Sequence, residues 1–203
     1  MIKYIDKKNT FIDEGVVIGD GCVIYPFVVI EGDCIIGENC VIGPNSYLKN
    51  CTIGNDCNIM SSHIFDSKLS DKVKVGPYAY VRDGVRLSDN SKIGYCVEIK
   101  KSKVGKNSKV PHLSYVGDAT IGDSVNVGGG VITANYDGVN KHKTIIEDGA
   151  FIGVNCSLIA PVNIGHDTVI GASSCIVKNV PDNSLGLARS HQINKVDYYK
   201  KKS

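Results

Sequence analysis

Aliphatic residues return at every sixth position along most of this 203-residue chain. The first run is Ile18, Ile24, Ile30, Ile36, Ile42 and Leu48, followed after a one-residue slip by Ile53 and Ile59. A second frame holds Leu69, Val75, Val81, Leu87, Ile93 and Ile99, then Val104, Val110, Val116, Ile121 and Val127. A third runs Ile146, Ile152, Leu158, Ile164, Ile170 and Ile176. Neither the 3.6-residue helical period nor the heptad fits this spacing, whereas short strands stacked as a parallel β-helix do. Each aliphatic residue then points inward, and three repeats make one coil of about 18 residues. With stacked strands about 4.8 Å apart, about ten coils form a prism roughly 50 Å long. Glycine often follows the aliphatic position, as in Ile36-Gly37, Ile42-Gly43, Ile93-Gly94, Ile152-Gly153 and Ile164-Gly165. The expectation is that it permits a backbone that β-branched residues would resist.

Composition agrees with an all-β chain, since 22 glycines, no tryptophan and abundant Ile and Val suit short strands and tight turns. Six of the eight cysteines (Cys22, Cys34, Cys40, Cys51, Cys57, Cys156) stand two residues before an aliphatic position. That is a second inward slot which takes only a small side chain, and free Cys serves there as a small hydrophobe. No C-x₂-C cluster suggests a metal, and a disulfide framework is not expected without a secretory signal. A net charge of +2 gives no footprint for nucleic acid. The opening MIKYIDKKNT is not a signal peptide, and no apolar run approaches the roughly 18 residues of a spanning helix. A cytoplasmic protein, bound to neither membrane nor nucleic acid, is expected. The divisions read from the pattern are an N-terminal cap at 1–8, a β-helix domain at 9–180, and a C-terminal arm with a basic tail at 181–203.

The rhythm stops between Gly128 and Ile145, where a glycine run leads into the polar stretch NYDGVNKHKT. Repeat proteins carry insertions as loops on one face, often the binding face. Nearby, Arg82 and Lys100 are 18 residues apart, so they stand in register on one outer face. Like charges so placed repel. Either an anion such as phosphate bridges them or both tips reach separately into water. By the same arithmetic Glu98 lies beneath Tyr115, with His112 at the preceding corner. A histidine, a carboxylate and two cations on one side of a rigid rod suit proton abstraction next to an anionic substrate.

The stretch HLSYVGDATIGDSVNVGGGVITANYDGVNKHKT, with GPYAYVRDG, VEIKKSKVGKNSKVPHLSY, FIGVNCSLIAPVNIG and VPDNSLGLAR, resembles the C-terminal acetyltransferase half of the bifunctional bacterial GlmU family. That family is named glucosamine-1-phosphate acetyltransferase/N-acetylglucosamine-1-phosphate uridylyltransferase. The likeness runs from about Asn9 through Arg189. It implies a left-handed β-helix that forms a homotrimer with active sites between subunits. It further implies acetyl transfer from acetyl-CoA to the amine of glucosamine 1-phosphate, with no metal needed for that step. His112 would be the general base and Glu98 would orient it. Arg82 and Lys100 would hold the sugar phosphate, Tyr115 and Asn126 would contact the sugar, and Lys141 would add charge. Gly129, Asn135, Tyr136, Val154, Ala172 and Arg189 would line the acetyl-CoA path.

Three departures from the family pattern bear on this. Val154 stands where the family usually has serine, Gly128–Val131 reads GGGV rather than GAGT, and a nucleotidyltransferase half is not found in this sequence. Uridylyl transfer is therefore not expected of this polypeptide, which leaves a separate uridylyltransferase as a conceivable partner. The runner-up reading is an acetyltransferase acting on another amino sugar or a sugar nucleotide. A non-catalytic trimeric scaffold, or a metal enzyme needing three placed histidines, forms the contrasting class.

Overall fold

In a computed structural model, whose described residues are 1–199, the chain forms thirty short strands and one single-turn 3₁₀ helix at Lys7–Asn9. Every pairing between strands is parallel, and the strands fall into three sheets of 11, 10 and 9 members. Face A begins at Lys3–Tyr4, face B at Phe11–Ile12 and face C at Val17–Ile18. The chain visits A, B and C in turn, so each circuit lays one coil on the last. The result is a left-handed parallel β-helix with three faces and three corners, here called AB, BC and CA. No helix among the described residues is long and apolar enough to cross a membrane.

The six-residue aliphatic positions fill the prism axis, with Ile24, Ile30, Ile42, Leu48, Ile59, Ile93 and Ile99 all at 0% exposure. Each such side chain contributes roughly 1.5–3 kcal/mol by leaving water. The slot two residues earlier holds the six cysteines named above, all buried and all free. Elsewhere that slot takes Ser62, Ser102, Ser108 or Ser114, whose hydroxyls donate to backbone carbonyls of their own or the next coil.

The glycines after the aliphatic positions have a different cause from the one expected. None of Gly37, Gly43, Gly94, Gly153 and Gly165 has a left-handed backbone. Space is the constraint. At the CA corner a Cβ on Gly37 would lie 2.5 Å from Asn55 Oδ1, and one on Gly165 would lie 2.3 Å from Asp182 Oδ1. On Gly94 it would meet the Pro111 carbonyl at 2.0 Å. The left-handed turn positions are held mostly by Asn and Asp, including Asn39 (φ 57°), Asp56 (56°), Asn90 (58°) and Asn107 (59°). These residue types enter that region at low cost.

The ladder runs beyond both boundaries read from the sequence. Lys3–Tyr4 pairs with Val23–Ile24, and Leu185–Gly186 pairs with Val169–Ile170. Thus the first coil is a true coil, started by the Asp6 carboxylate accepting the Lys8 N–H, and the last coil lies past Pro181. Residues 200–203, the end of the basic tail, lie outside the described residues.

Candidate active site

Three strands of face B, Tyr80–Arg82, Glu98–Lys100 and Tyr115–Gly117, are in register. They set Arg82 beside Lys100 and Glu98 beside Tyr115. The two cations are not equivalent. Arg82 donates to Glu98 Oε1 from Nη2 at 2.7 Å and from Nε at 3.2 Å, and to Asp83 Oδ2 from Nη1 at 2.7 Å. The hydrogen bond to Glu98 and the charge of Asp83 push its pKa higher still. Its guanidinium carbon stands 5.3 Å from the centre of the Tyr80 ring, a cation–π distance. Lys100 is only 7% exposed, and among the described residues its ammonium makes no hydrogen bond or ion pair. The ammonium is not among the buried polar atoms that lack a partner, so the stem of Lys100 is packed while its tip keeps contact with solvent, open to an anion.

Gly117 explains how the patch closes. A Cβ there would stand 2.5 Å from the Tyr115 hydroxyl and 2.9 Å from Asn135 Nδ2, so the missing side chain lets both lie over it. Asn135 is 6% exposed and donates to Asp118 Oδ2 at 2.5 Å.

His112 lies elsewhere, at the AB corner, in a column with Tyr95, Gly129, Val154 and Ala172. Backbone bonds tie the turns of this column: Leu113 N–H to Tyr95 O (2.9 Å), Gly130 N–H to His112 O (3.3 Å), Asn155 N–H to Gly129 O (2.8 Å) and Ser173 N–H to Val154 O (2.8 Å). Arg189 closes the lower end by donating from Nη1 to the Ala172 carbonyl at 3.0 Å. The His112 ring is exposed and has no hydrogen-bond partner among the described residues. From His112 to Ala172 is three coil spacings, roughly 14 Å. Of the three glycines one coil on from the histidine, Gly128 and Gly130 donate their N–H groups to Ile152 O and His112 O, while the Gly129 N–H meets no acceptor among the described residues.

The inserted loop leaves from the BC corner, across face B from His112. It is a built structure. The backbone N–H groups of Asn140 and Val139 and the His142 ring hold the Asp137 carboxyl down at about 2. Tyr136 forms an antiparallel bridge with Lys141, and His142 N–H bonds the Asn135 carbonyl. Tyr136 and Lys141 are both exposed.

The residues singled out from the sequence therefore divide into four groups. Arg82, Glu98, Lys100, Tyr115 and Asn135 share one patch. His112, Gly129, Val154, Ala172 and Arg189 share one corner. Asn126 lies on face A between Lys109 and Phe151. Tyr136 and Lys141 form the loop. Glu98 bonds Arg82 and not His112. Tyr95, Tyr80, Gly117 and Asp118 escaped the sequence reading, although Tyr95 precedes His112 by one coil and so shares its phase. Among the described residues no group of three or more His, Cys, Asp or Glu could hold a metal ion.

Two repeat models match: the bacterial transferase hexapeptide (six repeats) over residues 15–50 and 33–62, and the hexapeptide repeat of succinyl-transferase over 143–178. The bifunctional protein GlmU of Carboxydothermus hydrogenoformans is 50% identical, covering 98% of this chain and 45% of the relative. That of Thermosipho africanus is 52% identical, covering 95% and 43%. Among solved structures, the Arabidopsis UDP-N-acetylglucosamine acyltransferase superposes with a TM-score of 0.78 at 17% identity, covering 89% of this chain and 70% of that one. The Francisella novicida acyltransferase gives 0.68 at 23%, covering 93% and 67%. At such identities these structures speak for the fold alone. The chain spans less than half the length of the curated relatives it matches. Nearly the whole of this chain thus resembles one portion of bifunctional GlmU, a share consistent with that family's C-terminal acetyltransferase half.

Proposed function

We propose that the chain transfers an acetyl group from acetyl-CoA to the amine of glucosamine 1-phosphate. The observation that carries this reading is the open column at the AB corner. His112 stands at its head, the unpaired Gly129 N–H one coil away, and the small side chains of Val154 and Ala172 lead to Arg189. A thioester lying along this corner presents its carbonyl to Gly129 and its anionic end toward Arg189. The amine attacks the carbonyl carbon, and neutral His112 Nδ1 or Nε2 takes the amine proton. The Gly129 N–H steadies the tetrahedral oxyanion. The C–S bond then breaks, the amide forms, and the imidazolium returns its proton to the departing thiolate.

The phosphate belongs with Lys100, whose stem is packed in the coil and whose ammonium has no counter-ion among the described residues. Arg82 joins it by exchanging one of its two carboxylates for the phosphate, which frees Glu98 toward Tyr115 and the histidine. Asn126 on face A and Tyr115 on face B flank the AB corner and hold the sugar ring. Lys141 and Tyr136 stand across face B from His112, so they complete the site of a neighbouring subunit in a trimer rather than their own. Asn135 anchors the base of the loop by accepting the His142 N–H.

Thiol release from acetyl-CoA, followed with glucosamine 1-phosphate and glucosamine 6-phosphate in parallel, tests the reading. Release with the 1-phosphate and a loss of at least about tenfold in kcat/KM for Lys100→Ala are expected, because a charge-assisted bond is removed. Acetyl-CoA binding without release in either arm would contradict the acceptor. Unchanged KM for the sugar phosphate in Lys100→Ala would contradict the phosphate assignment.

A further inference from the structure

Over three successive coils the prism carries two rows of cations. On face A, Lys74, Lys92 and Lys109 pair in register. On face C, Lys68, Arg86 and Lys103 do the same. The face A row floors a groove of about 590 Å³ whose rim at the CA corner is Asp56, Lys72 and Asn90. That volume lies within the range of small-ligand sites, about 300–1,000 Å³. Among the described residues, none of the four lysine ammoniums of the groove makes an ion pair or a hydrogen bond. Lys106, one position from the groove, differs in pairing with Asp89 at 3.7 Å.

Two costs are built into this groove, and neither is returned by the fold. In-register like charges destabilise neighbouring strands. At about 4.8 Å per coil, the backbones that carry adjacent lysines are closer than the roughly 8 Å Debye length of physiological salt, so salt screens their repulsion only in part. Lys72 adds the second cost. Its φ is +58°, and the matching turns of neighbouring coils use Asn39, Asp56, Asn90, Asn107 and Ser124. Asn and Asp tolerate this left-handed slot better than a long cationic side chain does. Placing lysine there sacrifices a favourable local choice and adds a fourth positive charge to the same groove.

We infer that this groove is a second anion site, separate from the Lys100 patch on face B, and that it takes an oligophosphate: two or more linked phosphoryl groups, as in a nucleoside di- or triphosphate. Length and charge select that class. The three face A lysines stand on strands two coil spacings apart from first to last, about 10 Å, which exceeds the reach of a single phosphate. Four ammoniums against the lone carboxylate of Asp56 match a ligand of several negative charges rather than one. The groove's lower end is Lys109, in register with Asn126, so a phosphate chain lying on the row runs along face A toward Asn126. The inference stands whether or not the chain transfers acetyl groups.

Calorimetric titration of the full chain with inorganic tripolyphosphate tests it, with orthophosphate and a short DNA duplex as parallel arms. Two double variants are compared: Lys74→Gln/Lys92→Gln in the groove and Lys68→Gln/Lys103→Gln on face C, which removes the same charge outside it. All four side chains are exposed, and a thermal melt checks that each variant is folded. The expected result is saturable, salt-sensitive binding of tripolyphosphate, with orthophosphate weaker by about tenfold or more. The groove variant should lose about tenfold or more in affinity, as expected for lost bonds to charged groups, and the face C variant much less. Equal losses in the two variants would show a diffuse charge effect and overturn the site. Orthophosphate binding as tightly as tripolyphosphate, or duplex DNA binding more tightly per phosphate, would overturn the ligand class. Failure of tripolyphosphate to bind at low salt would overturn both.

Discussion

The CA and AB corners of this prism each join two neighbouring faces of the same coil, yet their outward side chains have opposite duties. At the CA corner most turns are fastened to the next by a side-chain oxygen. Asn55 Oδ1 accepts the Glu38 N–H at 2.8 Å, Asp71 accepts Asn55 at 2.7 Å, Asp123 accepts Lys106 at 2.6 Å, Asp148 accepts Asp123 at 2.7 Å and Asp182 accepts His166 at 3.1 Å. Those oxygens occupy the place where a Cβ would sit on Gly37, Gly54, Gly105, Gly122 and Gly165. At the AB corner the turns are joined through the backbone, and the outward positions hold Pro77, Tyr95, His112, Gly129, Val154 and Ala172. One corner spends its polar side chains on holding coils together. The other leaves them free for a ligand. The difference teaches that in a regular repeat, the functional edge is the one whose side chains are not needed by the next coil.

Substitution at the riveted corner gives the largest expected effect on stability. Gly122→Ala puts a Cβ 2.3 Å from Asp148 Oδ1 and 2.7 Å from the Asp148 backbone nitrogen, so a destabilisation of about 1–3 kcal/mol is expected from denaturant unfolding. Its KM for acetyl-CoA should stay unchanged. A variant as stable as the parent would break the contrast from the structural side. At the free corner, Val154→Ser adds a hydroxyl to a half-exposed position without removing any tie. A gain of one hydrogen bond, about 0.5–1.5 kcal/mol, lowers the KM for acetyl-CoA by a few-fold and leaves the melting temperature alone. A shift in stability without a shift in KM would show that Val154 supports the coil.

The smallest effect belongs to His166, a histidine at the riveted corner. The hydrogen bond to Asp167, with the negative charges of Asp182, Asp167 and Glu147, raises its pKa above 6.5. Folding therefore favours the protonated ring. Its stabilisation is fully present below the unfolded value near 6.5 and is lost as pH rises through the higher folded value. The melting temperature of the parent should exceed that of His166→Gln at acid pH and converge with it at alkaline pH. A difference that grew with pH would reverse the sign and remove the ion pair from the account.

How much of this was legible in the sequence depended on whether a residue obeys the repeat. Spacings of 17 and 18 residues placed Arg82 against Lys100 and Glu98 against Tyr115, and strand register does the same. The small inward slots held the cysteines for the same reason. Features that depend on side-chain direction were hidden. The Arg82–Glu98 pair crosses one coil diagonally, and Tyr115 and Asn135 lie over Gly117 where a side chain is missing. Both terminal coils were missed because Tyr4 and Gly186 stand in register with Ile24 and Ile170, where the aliphatic period expects Ile or Val. The loop's position at the far corner could not be read either, since an insertion breaks the count that assigns a corner.

The contrast between corners is tested most directly by assaying His112→Ala for both thiol release from acetyl-CoA and thermal unfolding. The account predicts a loss of about 10²-fold or more in turnover, the scale of a general base, with a melting temperature close to that of the parent, because the exposed ring bonds nothing in the coil. Turnover near the parent's, or a turnover loss matched by a marked fall in melting temperature, would contradict it.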